Sequence, residues 1–213
     1  MRVFKALTLF IIFCSFQTGF AQYQVYFDLL DVKNLNTWTS HNRDYSFEQG
    51  HVQLNSKPGD GLLYCKGFDF INGKIEVDIK GKDENGRSFV GMAFNGVNDS
   101  TYDVIYFRPF NFKSPDRKGH SVQYISHPRY TWYKLRSDFP EQYENPVIPV
   151  PDPNNWFHAT IEIQNKTVKV YVNNAQVPSL VVNQLSPVQG GWLGFWVGNN
   201  SEGQFKNLRV FSK

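Results

Sequence analysis

The run "GKIEVDIKG" at residues 73–81 places Ile75, Val77 and Ile79 on one face and Lys74, Glu76, Asp78 and Lys80 on the other. A period of two belongs to a strand with one face buried, and it leaves no room for a helical reading. Runs of the same kind recur along the chain: "LLYCKGF", "SFVGMAFNG", "TYDVIYFRPF", "HSVQYIS", "FHATIEIQN", "TVKVYVNNA", "GWLGFWVGN" and "QFKNLRVF". Asn165-Lys166 and Asn173-Asn174 separate β-branched runs and read as hairpin turns. No amphipathic helical stretch alternates with the strands, which excludes a parallel α/β sheet. Many short strands with regular turns predict an all-β, antiparallel two-sheet sandwich.

The N-terminus stands apart from this pattern. Arg2 and Lys5 precede an apolar run from Ala6 to Phe16, and Gly19 and Ala21 stand just before Gln22. A basic segment, a short apolar run and a small-x-small site read as a secretory signal peptide over residues 1–21, so an exported protein is expected. The apolar run is too short to span a membrane, which takes about 20 residues. Lipidation at Cys14 is disfavoured because Phe13, not a small residue, precedes it. Residues 22–213 suffice for a single domain with its own core. Without the signal segment Cys65 is the one cysteine, so an internal disulfide and cysteine-based zinc motifs are excluded. It lies in a strand-like run and is expected to be a small buried residue. The net charge of +3 is too weak to argue for nucleic acid. A monomer without a membrane span is expected.

One segment breaks the strand rhythm. Residues 109–155 form an insertion carrying a single strand-like run, then Arg129 to Phe139, which predicts about three helical turns. After it, "PEQYENPVIPVPDPNN" holds five prolines, which forbid a helix or a central strand. Within the insertion, "GHSVQYISHPRYTWYKLRS" interleaves His120, His127, Arg129, Lys134 and Arg136 with Tyr124, Tyr130, Trp132 and Tyr133. So many rings argue against disorder, and the segment is expected to fold onto the sandwich.

The last third of the chain carries a recognisable pattern. "NWFHATIEIQNKTVKVYVNNAQVPSLVV" and "GGWLGFWVGNNSEGQFKNLRVF", with "INGKIEVDIKG" and "SFVGMAFNG" before them, resemble the concanavalin A-like jelly roll. Within that fold they resemble the laminin-G-like and 3-keto-disaccharide hydrolase-like domains of secreted bacterial proteins. The resemblance implies two sheets and a concave face that binds or cleaves glycans, although a fold does not by itself fix a function. Glucanases of this fold carry Glu-x-Asp-x-x-Glu on one strand. Glu76 and Asp78 match its first two positions, but Gly81 stands where the acid belongs, so that motif is incomplete. The hydrolase-like domains imply an acidic residue and an Arg lining the cleft, for which "YDVIYFR" offers Asp103 and Arg108; Val104 and Ile105 depart from the Glu-x-Gln pattern expected there.

Strand parity adds a set of binding candidates. If Ile105 and Phe107 face the core, Tyr106 and Arg108 face away; if Leu193, Phe195 and Val197 face the core, Trp192 and Trp196 turn outward. Two outward tryptophans need a cover or a ligand. One reading makes Tyr130, Trp132 and Tyr133 a satellite core that pins the insertion, with Arg and Lys solvated outside. The other makes a sugar site from Tyr106, Arg108, His120, Tyr124, Trp132, Arg136 and Trp196, with Tyr124 and Trp132 as apolar walls. Carbohydrate recognition is the leading expectation; a glycoside hydrolase or a protein-interaction domain are the alternatives. The five histidines show no His-x-His pair, and no Gly-x-Ser-x-Gly elbow or phosphate loop occurs. No cofactor is expected; "NGVNDS" and "VPDPNN" are weak candidates for Ca2+, a common ion in this fold class.

Overall fold

The computed structural model describes residues 23–26 and 37–212. The signal segment, Cys14 and the expected start at Gln22 lie outside these residues. The strands are β1 (Tyr23–Tyr26), β2 (Trp38–His41), β3 (Tyr45–Glu48), β4 (His51–Leu54), β5 (Gly61–Cys65), β6 (Gly73–Lys80), β7 (Val90–Asn98) and β8 (Thr101–Phe107). They continue as β9 (Val122–His127), β10 (Glu144–Asn145), β11 (Phe157–Gln164), β12 (Thr167–Val172), β13 (Leu180–Asn183), β14 (Trp192–Val197) and β15 (Gly203–Ser212). The single α-helix among the described residues, α1, spans Trp132–Asp138.

Two antiparallel sheets form the sandwich. One runs β13-β12-β11-β6-β15-β4-β3, with β1 also paired to β15; the other runs β10-β9-β8-β7-β14-β5-β2. The alternation in β6 is realised as written: Ile75, Val77 and Ile79 are fully buried, and the four charged residues between them are half-buried. Facing rings weld the sheets together. Phe195 of β14 stacks between Trp38 and Phe205 at 5.7 and 4.6 Å, and Phe107 of β8 meets Phe157 of β11 at 4.9 Å. Each fully buried ring of this kind contributes about 1.5–3 kcal/mol through the area it withdraws from water. Cys65 is buried within this core.

The turns follow local chemistry. Asn165 and Lys166 both hold positive φ (48° and 70°), and Gln164 pairs directly with Thr167, which makes the expected two-residue hairpin. Asn173 and Asn174 also turn left-handed, but the chain does not return at once: Leu180 is the residue that pairs back to Val170. The second expected hairpin is therefore a longer loop.

The insertion does fold onto the sandwich, and it lends strands to it. β9 is a full member of the second sheet, and β10 pairs its outer side for two residues. Lying between Pro140 and Pro146, β10 can only be an edge. The helix is shorter than expected. It starts where Thr131 accepts a hydrogen bond from the Lys134 backbone N–H at 3.4 Å, and it stops at Phe139 because Pro140 excludes the helical conformation for the residue before it.

The satellite-core reading holds for Tyr130, which packs against the core, and needs correction for its two companions: Trp132 and Tyr133 are 48% and 70% exposed. The insertion is pinned instead by Leu135 and Val147, which are buried, and by Phe139 and Tyr143 packed against the core. On a helix of two turns only one face can point inward, and Leu135 takes it.

Candidate functional site

On the face of β8, β7 and β14 turned away from the other sheet, parity delivers the expected residues. Tyr106, Gly91 and Trp196 lie in one cross-strand row. A Cβ on Gly91 would collide with Tyr106, so glycine lets the two flanking rings close over it, to 5.1 Å between centroids. Phe89 meets Tyr106 edge-on at 6.2 Å and Phe110 at 5.5 Å. Trp192, farther along β14, stacks on Tyr64 at 4.3 Å and is covered by Tyr102. The two outward tryptophans thus meet different fates, one packed among tyrosines and the other at the base of a cleft.

That cleft has a volume of ≈ 540 Å³, and Tyr106, Arg108, His120, Trp132, Arg136 and Trp196 all line it. Six of the seven binding candidates therefore converge. Tyr124 does not: it pairs with Ile105 on the inward face of β9, is fully buried, and its hydroxyl accepts from the Leu185 backbone N–H at 2.9 Å. Parity explains the correction, because Tyr124 and Gln123 point to opposite sides of β9 and Gln123 is the one facing the cleft side, where it meets Tyr106 and Arg108.

Arg108 is the hub of the polar wall. Placed just beyond β8, it is 5% exposed and donates to the Tyr106 hydroxyl, to Gln123 Oε1 and, at 2.9 Å, to the His120 carbonyl. Its guanidinium also lies 4.8 Å from the Tyr106 ring centroid and 3.5 Å from Glu144 Oε2. Burial pushes the Tyr106 phenol up to about 12, with Arg108 pulling the other way, so Tyr106 stays protonated and can donate at 2.7 Å to Gln123. Arg108, one of the binding candidates, thus braces the wall it lines.

Glu144, on β10, completes the network. Arg136 grips it through Nε at 2.8 Å and Nη2 at 2.6 Å, and His120 Nδ1 stands 2.9 Å away. Burial acts to raise its carboxyl, but the Arg136 hydrogen bonds and the charges of Arg136, His120 and Arg108 outweigh that and hold it below the usual carboxylate range. The same contact raises Arg136, whose guanidinium lies 5.3 Å from the Trp132 ring. Glu144 escapes sequence reasoning because it sits in a proline-rich segment with no periodicity.

Asp60 and His127 also line the cleft, with His127 Nε2 at 3.2 Å from Asp60 Oδ2. Asp60 arrives from the distant turn "PGDG". Buried Arg43 fixes that turn by donating to the carbonyls of Gly59 (2.6 Å) and Gly198 (2.9 Å), and Asn42 donates to the Asp60 carbonyl at 2.9 Å. Gly61 must be glycine, since Arg43 fills the space a Cβ would take. Positioning across such sequence separation leaves no local signal.

The three catalytic candidates lie elsewhere. Glu76 and Asp78 sit on the outer face of the opposite sheet. Glu76 is paired with Lys74 at 2.6 Å and Arg209 at 2.8 Å. Asp78 is held by His158 and Asn207, both at 2.7 Å; burial would raise it, but those two partners bring it below its ordinary value. Asp103 faces inward from β8 and accepts from Asn95 at 2.9 Å; burial drives it up to about 6, against hydrogen bonds from Ser126, Asn95 and Tyr124. None of the three reaches the cleft. Of the calcium candidates, Asn98 bonds Ser100 and Asp152 bonds Lys113 and the Asn154 N–H. Among the described residues no group of three His, Cys, Asp or Glu side chains converges to hold a metal, and no helix is long and apolar enough to cross a membrane.

The architecture and the cleft define a concanavalin A-like jelly roll with a ring-floored cavity on the outer face of one sheet. The sequence profile of the 3-keto-alpha-glucoside-1,2-lyase-like domain matches residues 25–211, and the chain belongs to that family. No curated protein matches the chain. Among solved structures, the carbohydrate-binding module CBM66 from Bacillus subtilis is similar over 82% of this chain and 95% of its own, at 18% identity and a TM-score of 0.61. The β-glucanase of Bacillus licheniformis is similar over 92% and 100%, at 15% identity and 0.56. The lumenal domain of VIP36, bound to Ca2+ and Man3GlcNAc, is similar over 83% and 86%, at 8% identity and 0.58. At these identities the likeness is one of fold.

Proposed function

We propose that this is an exported carbohydrate-recognition domain whose cleft, lined by the Arg108 wall and the Asp60–His127 pair, holds a glycan. The carrying observation is the convergence of ring faces (Trp196, Tyr106, Trp132) and polar groups (Arg136, His120, His127, Asp60) in one open cavity. Ring faces take the C–H side of a sugar while guanidinium and imidazole groups bond its hydroxyls. Hydrolysis by two carboxyl groups has weaker support. It needs a pair about 5–5.5 Å apart when retaining, or about 6.5–9.5 Å when inverting. Among the described residues lining the cleft Asp60 is the one carboxylate, and Glu144 behind it is locked in ion pairs. Two neighbours in fold, a carbohydrate-binding module and a protein bound to Man3GlcNAc, are consistent with the reading. Glycan-array binding of the mature domain tests it: specific binding that Trp196→Ala abolishes is the expected result, and absence of binding to every glycan would end it. Export is checked by sequencing the N-terminus of secreted protein, expected at Gln22; a lipidated Cys14 there would contradict it.

A second reading draws on the family and on the Asp60–His127 pair. A 1,2-elimination removes the proton at C2 of a 3-keto-glucoside, forms the C1=C2 bond and expels the C1 substituent, which leaves with a proton. A histidine beside a carboxylate is suited to accept the C2 proton. Incubation with a 3-keto-α-glucoside, following release of the C1 substituent, decides between the two. Release that His127→Gln suppresses favours the elimination; none above the blank favours binding alone.

A further inference from the structure

We infer that the cleft selects a negatively charged sugar, one bearing a carboxylate or sulfate group, seated at the Arg117–His120–Arg136 end. The inference rests on the glycan-binding reading above and specifies the ligand's class. Three guanidinium groups, Arg108, Arg117 and Arg136, line the cavity, against Asp60 on its lining and Glu144 in the wall behind. One positive charge is left in excess before either histidine is protonated, and the carboxylates are not evenly spread. Asp60 pairs with His127, while neither Arg117 nor Arg136, both from the insertion, makes an ion pair with it.

The bonding of these groups decides which are available. Arg108 is committed to the framework, its donors taken by Tyr106, Gln123 and the His120 carbonyl. Arg136 spends Nε and Nη2 on Glu144, and its Nη1 makes no bond to that carboxylate. Arg117 hydrogen-bonds the neutral Asn85 at 2.8 Å, so its charge is not offset by that contact. His120, 2.9 Å from Glu144 and about one-third exposed, lines the same cavity. Two guanidinium groups and an imidazole around a single carboxylate form the charge-assisted arrangement that planar anions fit best. Trp132, at the rim beside Arg136, offers its face to the ring that carries the acid.

The test is titration calorimetry with three probes: an oligoglucuronate, its carboxyl-reduced neutral counterpart, and a sulfated oligosaccharide of equal charge. The acidic probes are expected to bind about tenfold or more tighter than the neutral one at low salt, as charge-assisted hydrogen bonds provide. That preference should shrink markedly toward about 1 M salt, where the screening length falls to ~3 Å. Whichever acidic probe binds better identifies carboxylate or sulfate as the preferred group. Arg117→Gln, at an exposed position where folding is checked by melting temperature, should narrow the preference severalfold. Equal or tighter binding of the neutral probe overturns the inference while leaving glycan recognition standing. A preference untouched by Arg117→Gln overturns the placement of the acid. Failure of every probe and every arrayed glycan overturns both.

Discussion

On β6 the outward residues are Lys74, Glu76, Asp78 and Lys80; at the end of β8 they are Tyr106 and Arg108. Both sets point away from the core of the same sandwich, from strands near the middle of their sheets. On β6 the charges are matched by neighbours at the surface: Glu76 takes Lys74 and Arg209, and Asp78 takes His158 and Asn207. On β8 the insertion covers the face, and Arg108 with its partner Glu144 is almost withdrawn from water. A charge left in water loses little when its partner goes, whereas one already desolvated depends on the partner entirely. Alternation in sequence reports which face a residue takes. What covers that face decides whether the residue can bind, brace or merely dissolve.

The sharpest way to break this comparison is to remove Glu144. Glu144→Ala leaves Arg108 buried and Arg136 without its carboxylate, and a loss of about 3–5 kcal/mol is expected in urea unfolding. A loss below about 1 kcal/mol would mean that the covered face is wetter than its burial indicates, and the contrast with β6 would collapse.

A smaller effect comes from the inward side of β8. Asp103 has its carboxyl raised by burial to about 6, from an ordinary value near 3.8. The folded state therefore keeps the proton to higher pH than the unfolded chain, so stability falls as pH rises from about 4 to about 6, and stays reduced above that. The span corresponds to roughly 2–3 kcal/mol. Asp103→Asn cannot titrate, so unfolding free energy measured against pH should lose this slope relative to wild type. An unchanged slope would place the titration elsewhere.

The sandwich, the inward set on β6 and the outward set on β8 and β14 were all legible, because a buried face imposes a period of two on the residues themselves; short edge strands such as β2, β3 and β10 were not. Of the six binding candidates that converged, Tyr106, Arg108 and Trp196 follow from this alternation, whereas His120, on a 3-10 turn, and Trp132 and Arg136, on α1, come from the insertion. Tyr124 was misplaced because its strand belongs to the insertion, where no long run of alternation fixes the phase. Glu144 and Asp60 were invisible: Glu144 sits on a two-residue edge strand in a proline-rich stretch, and Asp60 comes from a turn held by contacts between residues far apart in sequence, such as Arg43 with Gly198. The fold is written locally, and half of the cleft is written by topology.

Trp132 separates bracing from binding on the covered face. Half exposed, it holds little of the insertion, so Trp132→Ala should lower stability by less than about 1 kcal/mol, well under the ~3–5 of a buried tryptophan. Affinity for a bound glycan should fall by about 1–2 kcal/mol if the ring stacks on the sugar. The pair of numbers, from thermal melts and calorimetry, is what tells: a large stability loss with unchanged affinity would return Trp132 to a stapling role.

The smallest effect is expected on β6. Glu76→Gln removes one carboxylate from a partly solvated cluster in which Lys74 and Arg209 can turn to water. The Gln side chain keeps the volume and one acceptor, and although Glu76 is half-buried both of its cations reach solvent, so its pairs contribute about 1 kcal/mol. Stability should therefore shift by less than that, and less still at high salt, where such pairs are screened. Ligand affinity should not move, since β6 lies in the sheet opposite the cleft. If the family's elimination chemistry operates here, its rate should also be unaffected, because the incomplete glucanase motif points away from the cavity. A loss of a hundredfold or more in binding or turnover, with folding intact, would make the β6 face a second functional surface and remove the distinction between the two faces.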